Sequence, residues 1–327
     1  MQTLDLTGLN RLLRLVGAWN GLLVLNYHRI GEPDGSLFDW DLWSASGADF
    51  DGQVRFLARN FDLIGLNDLD DVLTRPQRGS RHVLITFDDG YRDNFDLAYP
   101  ILKSHGALAA FFLTSGFLDR PRITWWDEIA WMVRSSKKSC LGENPCVGPL
   151  SFDEPTRQQA IKKLLRTYKQ LPGESTDSFI EILAEATGSG RCPNSEASTM
   201  WMTRDMVREM HSGGMTFGAH TVNHPVLSSL TAEEQDLEIC ESRLRIEQEI
   251  CQEVTAFSYP VGSKDAFNQD TRHCLTRHGI RWAFSFYGGF WRPGQLDAYD
   301  LPRVAMESDV TSPALRSVAA LPQLFAD

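Results

Sequence analysis

The chain has 327 residues, 42% hydrophobic and 23% charged, a composition that suits a folded globular protein with one large core or one domain carrying an insertion. A formal net charge of −11 disfavours non-specific attraction to nucleic acid or acidic lipid, so no nucleic-acid partner is expected. Cys140, Cys146, Cys192, Cys240, Cys251 and Cys274 contain no Cys-x-x-Cys pair and read as scattered reduced thiols, against a zinc ribbon or a disulfide framework.

Leu9, Leu12, Leu13 and Val16 recur at helical spacing while Arg11 and Arg14 break the apolar run, so residues 1–20 read as an N-terminal helix and not as a signal peptide. No apolar run reaches membrane-spanning length; a cytoplasmic location is expected, with peripheral contact at the inner membrane face as the minority reading. Residues 22–30 form a first core strand whose polar end carries His28, and residues 31–50 are a loop over that end. A helix over 50–60 (Val54, Leu57, Ala58), a weaker strand over 61–65 and a short helix over 66–73 follow. Val83, Leu84, Ile85, Thr86 and Phe87 then run straight into Asp88, Asp89 and Gly90, a buried strand ending in a turn. A helix over 94–105 stops at Gly106, and residues 109–114 are the next strand.

From 117 to 202 the alternation is lost, and the segment reads as a helical insertion packed on the rest. Its Trp125, Trp126 and Trp131 suit either a sugar-stacking platform or the insertion's own core, and core is favoured. A helix over 203–211 ends at Gly213 and Gly214, and a short strand leads to Gly218, Ala219, His220, Thr221, Val222, Asn223 and His224. Thr231 and Glu234 form a capping box for a helix reaching about residue 251, with Leu237, Cys240 and Leu244 expected inward. Strands over 254–258, 281–286 and 301–306 and a helix over 266–278 complete an α/β pattern with polar residues at the strand ends. A barrel over 21–116 and 203–327 with the 117–202 insertion fits, and periodicity alone leaves an open doubly wound sheet as the alternative.

Two neighbouring buried carboxylates are costly unless they share a cation or a proton. Two His four apart near a strand end, flanked by Gly and Pro, suit imidazoles converging on a metal; Thr221 after the first His argues against a helical zincin. Two His and one carboxylate make an open metal site, and the residues themselves leave open which Asp ligates.

Thr86-Phe87-Asp88-Asp89-Gly90 and His220-Thr221-Val222-Asn223-His224 resemble the first two motifs of the polysaccharide deacetylases (NodB-homology domain, carbohydrate esterase family four), over about residues 22–306. The resemblance implies an irregular (β/α)7 barrel of NodB type with a helical insertion. It also implies a metal-dependent hydrolase that removes N-acetyl groups from an N-acetylated saccharide, free or lipid-linked. On this pattern Asp89, His220 and His224 hold the metal, with zinc favoured and cobalt, nickel or iron accepted by the same donors, and Asp88 is the general base. The family's usual His on the last strand is replaced here by Leu301-Pro302-Arg303, so His28, in a Leu-Asn-Tyr-His stretch similar to one branch of the family, becomes the candidate acid. Arg303 is expected to pair with Asp88. The third motif keeps Pro260 but lacks its Arg; the Val261 N–H remains an oxyanion donor, with Tyr259 and Trp282 as candidate substrate contacts. Alternatives that keep the site are a sugar O-acetyl esterase, an N-deformylase or a non-catalytic glycan-binding barrel. An iron oxygenase shares the ligand set but lacks its His-x-Asp pairing.

Overall fold

A computed structural model describes residues 19–144 and 148–325; the helix expected over residues 1–20 and Cys146 lie essentially outside them. Eight parallel strands form one sheet: β1 Gly21–Tyr27, β2 Asp62–Ile64, β3 Arg81–Phe87, β4 Ala110–Leu113, β5 Thr216–Ala219, β6 Ala256–Ser258, β7 Trp282–Phe284 and β8 Val304–Ala305. Seven of them run in the order β7-β6-β5-β4-β3-β1-β8, and β2 pairs with the first half of β3, where β4 has not yet begun. A separate bridge from Phe284 to Leu301 brings the last segment back beside β7, so the sheet curls into the expected barrel. The final strand is shorter than the 301–306 expected. Pro302 has no N–H to donate, and the ladder resumes only at Val304.

Side-chain alternation divides these strands into two columns. Leu22, Val24, Leu84, Ala110, Phe112, Ala256, Trp282, Phe284 and Leu301 meet in the barrel interior. Leu23, Leu25, Val83, Ile85, Phe111, Phe217, Phe257 and Ala283 face outward into a second cluster completed by helices. Those helices include α1 Gly47–Asn60, α3 Tyr99–Ser104, α4 Ser115–Asp119, α5 Arg204–Ser212, α6 Ala232–Ile250 and α7 Gln269–Arg277, whereas α2 Leu69–Thr74 packs Leu69, Val72 and Leu73 onto the interior cluster. The helix expected over 94–105 begins as a wider π-type turn over Asn94–Ala98 before tightening into α3. Because all strands run one way, following the interior column to its C-terminal end passes from apolar residues to Asn26, Thr86, Asp88, His220, Ser258 and Arg303, all buried. Gly218 keeps the column open beneath His220, since a Cβ there would lie 2.4 Å from the Phe112 ring.

One expectation for α6 fails. Thr231 and Glu234 do form the capping box, but Leu237 is 62% exposed and Leu244 38% exposed. The buried face is Gln235, Ile239, Ser242 and Ile246, whose two polar members are satisfied locally. Gln235 donates to the Leu230 carbonyl and accepts from Thr271, and Ser242 donates to the Ile239 carbonyl.

Contacts divide the chain into two compact units, the barrel and a second formed by Pro33–Asp41 and Arg120–Met200. The second contains helices Trp125–Ser135, Arg157–Lys169 and Thr176–Thr187 and a short antiparallel pair, Cys140–Leu141 with Leu150–Ser151. Trp125 stacks on Tyr168 at 4.4 Å and meets Trp126 edge-on, and Tyr168 meets Phe179, so these rings build that unit's own core. The five described cysteines are free thiols. Among the described residues no helix is long and apolar enough to cross a membrane.

Candidate metal centre

Consecutive strand residues point to opposite faces, so Asp88 and Asp89 can share one site only if the backbone breaks between them. It does so at Asp89, whose φ of 74° lies in the left-handed region. The Gly90 N–H closes the turn onto the Asp88 carbonyl at 2.9 Å. Thr221 (φ 65°) and His224 (φ 59°) are left-handed too. Non-glycine residues held in this way each cost about 1–3 kcal/mol and persist only where surrounding contacts over-determine them.

Those contacts are visible around residues 220–224. The Ser115 and Gly116 N–H groups of α4 donate to the Thr221 and Val222 carbonyls at 3.1 and 3.0 Å. A side chain at Gly116 would put its Cβ 2.5 Å from the Val222 oxygen, so only glycine fits. Thr221 Oγ1 accepts from the His224 N–H at 2.9 Å. The turn brings His220 Nε2 to 3.5 Å and His224 Nε2 to 3.4 Å from Asp89 Oδ1.

The donor set fits a cation. Asp89 Oδ1 is buried and, among the described residues, has no hydrogen-bond donor. The carboxylate and imidazole donor atoms all lie within 4.8 Å of one another, and all three residues are buried. His220 Nδ1 lies 2.7 Å from the Ser258 carbonyl oxygen; donating its proton there leaves the Nε2 lone pair aimed at Asp89. Burial, against the pull of Asp89, pushes His224 down to about 3, which keeps it in the neutral form a metal requires. Burial also works against the charged form of His220, but Asp88 and Asp89 outweigh it and raise its pKa; a cation at Nε2 would take the place of that proton. For Asp89, burial raises and the two imidazoles lower, with a net shift downward.

Beside this trio, Arg303 and Asp88 form a two-pronged pair, Nη1 to Oδ1 at 2.9 Å and Nη2 to Oδ2 at 2.8 Å. Asn26 Nδ2 and Ser258 Oγ donate to the same Oδ2 at 3.2 and 3.1 Å. Arg303 is otherwise satisfied by Asn26 Oδ1, Ser258 Oγ and the Ser285 carbonyl, and Thr86 donates to Asn26 Oδ1. Burial alone would raise the Asp88 carboxyl; the Arg303 guanidinium overcomes it and holds the group well below the usual carboxylate range. Oδ1 receives one donor where Oδ2 receives three, so Oδ1 keeps an open lone pair.

His28 follows β1 at the same end of the barrel. Its N–H donates to Ser44 Oγ at 3.0 Å, its carbonyl accepts from Asn94 at 2.7 Å, and its ring lies edge-on to Phe286. Burial lowers its pKa, while the charges of Asp89 and Asp88 oppose that shift. Val261 (φ 63°) lies three residues past the Ser258 carbonyl, and its N–H has no acceptor among the described residues.

Two of the expected substrate contacts are elsewhere. Trp282 pairs in register with Ala256, two residues below the Ser258 level, and its Nε1 donates to Asp70, so it plugs the far end of the barrel. Tyr259 has the opposite parity to Ser258 and turns outward. It stacks on Phe267 at 3.9 Å and donates to the Tyr299 carbonyl. Sequence reasoning missed Asn26, Thr86 and Ser258, although each is the polar residue of inward parity at its strand end.

The family model for polysaccharide deacetylase matches residues 75–138 and 150–283. The chain belongs to the polysaccharide deacetylase family. A curated relative, the Bacillus subtilis (strain 168) protein YxkH, whose name places it among polysaccharide deacetylases, is 21% identical over 71% of this chain. The match spans about half of that relative, 55% of its length. Among solved structures, the Streptococcus pyogenes deacetylase PplD in complex with acetate is similar with a TM-score of 0.60 and 17% identity, covering 94% of this chain and 98% of that one. A de-N-acetylase from Aggregatibacter actinomycetemcomitans is similar with a TM-score of 0.57 and 14% identity, covering 90% and 98%. At these identities the likeness is one of fold, and it places this family member in the NodB-type barrel.

Proposed function

We propose that this polysaccharide deacetylase family member is a metal-dependent N-deacetylase acting on an N-acetylated sugar within a glycan. The observation that carries the reading is the buried Asp89 Oδ1, which among the described residues has no hydrogen-bond donor and lies within 3.5 Å of two imidazole nitrogens, beside the Asp88–Arg303 ion pair. Asp89, His220 and His224 would hold the cation, with zinc suited to these donors and cobalt, nickel or iron compatible with them. When bound, such an ion supplies Lewis acidity, lowering the pKa of a water and polarising a carbonyl.

The chain's own groups supply the rest. Asp88 stays ionised because of Arg303, and its Oδ1 lone pair accepts the proton of the attacking water. The Val261 N–H, free of protein acceptors among the described residues, donates to the developing oxyanion. His28, in its imidazolium form, protonates the departing amine; burial works against that form, and the charges of Asp89 and Asp88 favour it. The amide preference draws on the Aggregatibacter de-N-acetylase among the structural neighbours.

The test is acetate release from N-acetylhexosamine oligomers by the purified chain, with amide and ester substrates compared. Chelator should abolish release and added zinc restore it. Asp88→Asn should lower kcat by about 10²–10⁴-fold while bound metal stays at the wild-type level. Release that ignores chelator, or hydrolysis of esters alone, would overturn the proposal.

A further inference from the structure

We infer that Glu238 is a positioning residue for the metal centre: its carboxylate grips the backbone between His220 and His224 and sets where the second imidazole lies. The inference rests on the proposed metal site and adds a residue that neither the motifs nor the family match assigns. Glu238 Oε2 accepts from the N–H groups of Val222 and Asn223 at 2.8 and 2.9 Å, and Oε1 accepts from the Asn223 side chain. Two successive N–H groups converging on one oxygen form the kind of backbone concavity that binds anions, and here a side chain of the same protein fills it.

The turn has two polar sides. Its carbonyls at Thr221 and Val222 are held by α4, and its N–H groups at Val222 and Asn223 are held by Glu238. Thr221 and His224, at either end of this stretch, both have positive φ, so nothing intrinsic to these residue types favours the turn. Removing the carboxylate frees one whole side of the turn and lets His224 drift toward ordinary dihedrals. The effect on the histidine passes through the two peptide units that Glu238 holds. Outer groups that orient ligands in this way typically change metal affinity by about 10–100-fold when removed.

The position of Glu238 on α6 gives the experiment an internal control. Glu241 lies nearly one helical turn on and, among the described residues, forms an ion pair with Arg245 alone, at 3.6 Å. Full-length wild type, Glu238→Ala, Glu238→Gln, Glu241→Ala and His220→Ala are titrated with cobalt(II) and zinc(II) against a chromophoric chelator, and the cobalt visible spectrum and the metal-free Tm are recorded for each. Glu238→Ala should bind about 10–100-fold more weakly, with an altered cobalt spectrum. Glu238→Gln keeps one carbonyl oxygen and should fall between it and wild type, and Glu241→Ala should match wild type.

Wild-type affinity and spectrum in either Glu238 variant, with the fold intact, would overturn the inference. So would a loss of affinity equalled by Glu241→Ala. Should Glu238→Ala fail to fold, the near-isosteric Gln variant decides by the same criteria. Failure of the metal site itself looks different: wild type and His220→Ala would then be indistinguishable.

Discussion

Among the described residues Arg303 is the largest fully buried side chain, and its environment explains why a charge can sit there. Taking a guanidinium and a carboxylate out of water costs several kcal/mol each, and their attraction offsets this only when the remaining donors and acceptors are matched. At this site they are: Asn26, Ser258 and the Ser285 carbonyl take up what Asp88 leaves of Arg303. Arg303→Ala should therefore destabilise the protein by about 3–5 kcal/mol, because it strands the Asp88 charge in the interior. Pairing it with Asp88→Asn should recover part of that loss, since the stranded charge is gone. Urea unfolding of the two single variants and the double variant measures both effects; an unchanged midpoint for Arg303→Ala would refute the argument. Little of this matching could be read from single residues. The Asp88–Arg303 pairing was legible only through resemblance to a family, while Asn26 and Ser258 look like ordinary strand polar residues until the columns of the barrel are aligned.

Whole elements divide by whether a simple period governs them. Buried parallel strands repeat every two residues, so the run before Asp88 and its neighbours could be placed from their apolar residues, with errors mainly at the ends. α6 shows where that reading fails. Leu237, Cys240 and Leu244 form an apolar stripe at helical spacing, yet the buried stripe is Gln235, Ile239, Ser242 and Ile246. A hydropathy pattern scores Gln235 and Ser242 as outward because it does not see the Thr271 hydroxyl or the carbonyls that satisfy them. The same rotation turns Glu238 toward the His220–His224 turn. Ile239→Ala should cost about 2–5 kcal/mol by leaving a cavity, whereas Leu237→Lys should stay within about 0.5 kcal/mol of wild type. Chemical denaturation of both variants separates the two faces, and a larger loss from the Leu237 change would restore the face expected from the sequence.

At the scale of the molecule, buried carboxylates are shifted in both directions, Asp39 in the smaller unit and Asp93 in the barrel upward and Asp88 in the barrel downward, and each direction makes stability respond to pH with its own sign. In the smaller unit Asp39 is buried beside Asp127, whose Oδ1 accepts the Asp39 N–H at 3.0 Å. Burial first, then the charges of Asp127 and Asp41, push Asp39 up to about 7, against the Asp41 N–H and Lys169. Arg134, held over the Trp40 ring, also faces Asp39. A carboxyl raised in the folded state prefers to be neutral there. Between the unfolded value near 4 and about 7 the native state therefore binds more protons than the unfolded chain, and stability falls as pH rises through that window. Asp88 in the barrel has the opposite sign. Its folded pKa is depressed, so its contribution is present above the unfolded value of about 4 and lost only as pH falls below it. The Asp39 and Asp88 windows meet near pH 4 without overlapping, and because Asp93, also raised by burial, is common to wild type and variant, a substitution at residue 39 isolates the Asp39 contribution. Asp39→Asn keeps an oxygen able to accept from the Asp41 N–H and removes the titration. Its Tm should match wild type near pH 4 and exceed it by a margin that grows up to about pH 7 and then levels off. Circular-dichroism melts at intervals across that range measure the difference directly. If the units unfold separately, the gain should appear only in the transition of the smaller one. A Tm difference that stays constant from pH 4 to 8 would mean that the Asp39 carboxyl does not titrate in this window.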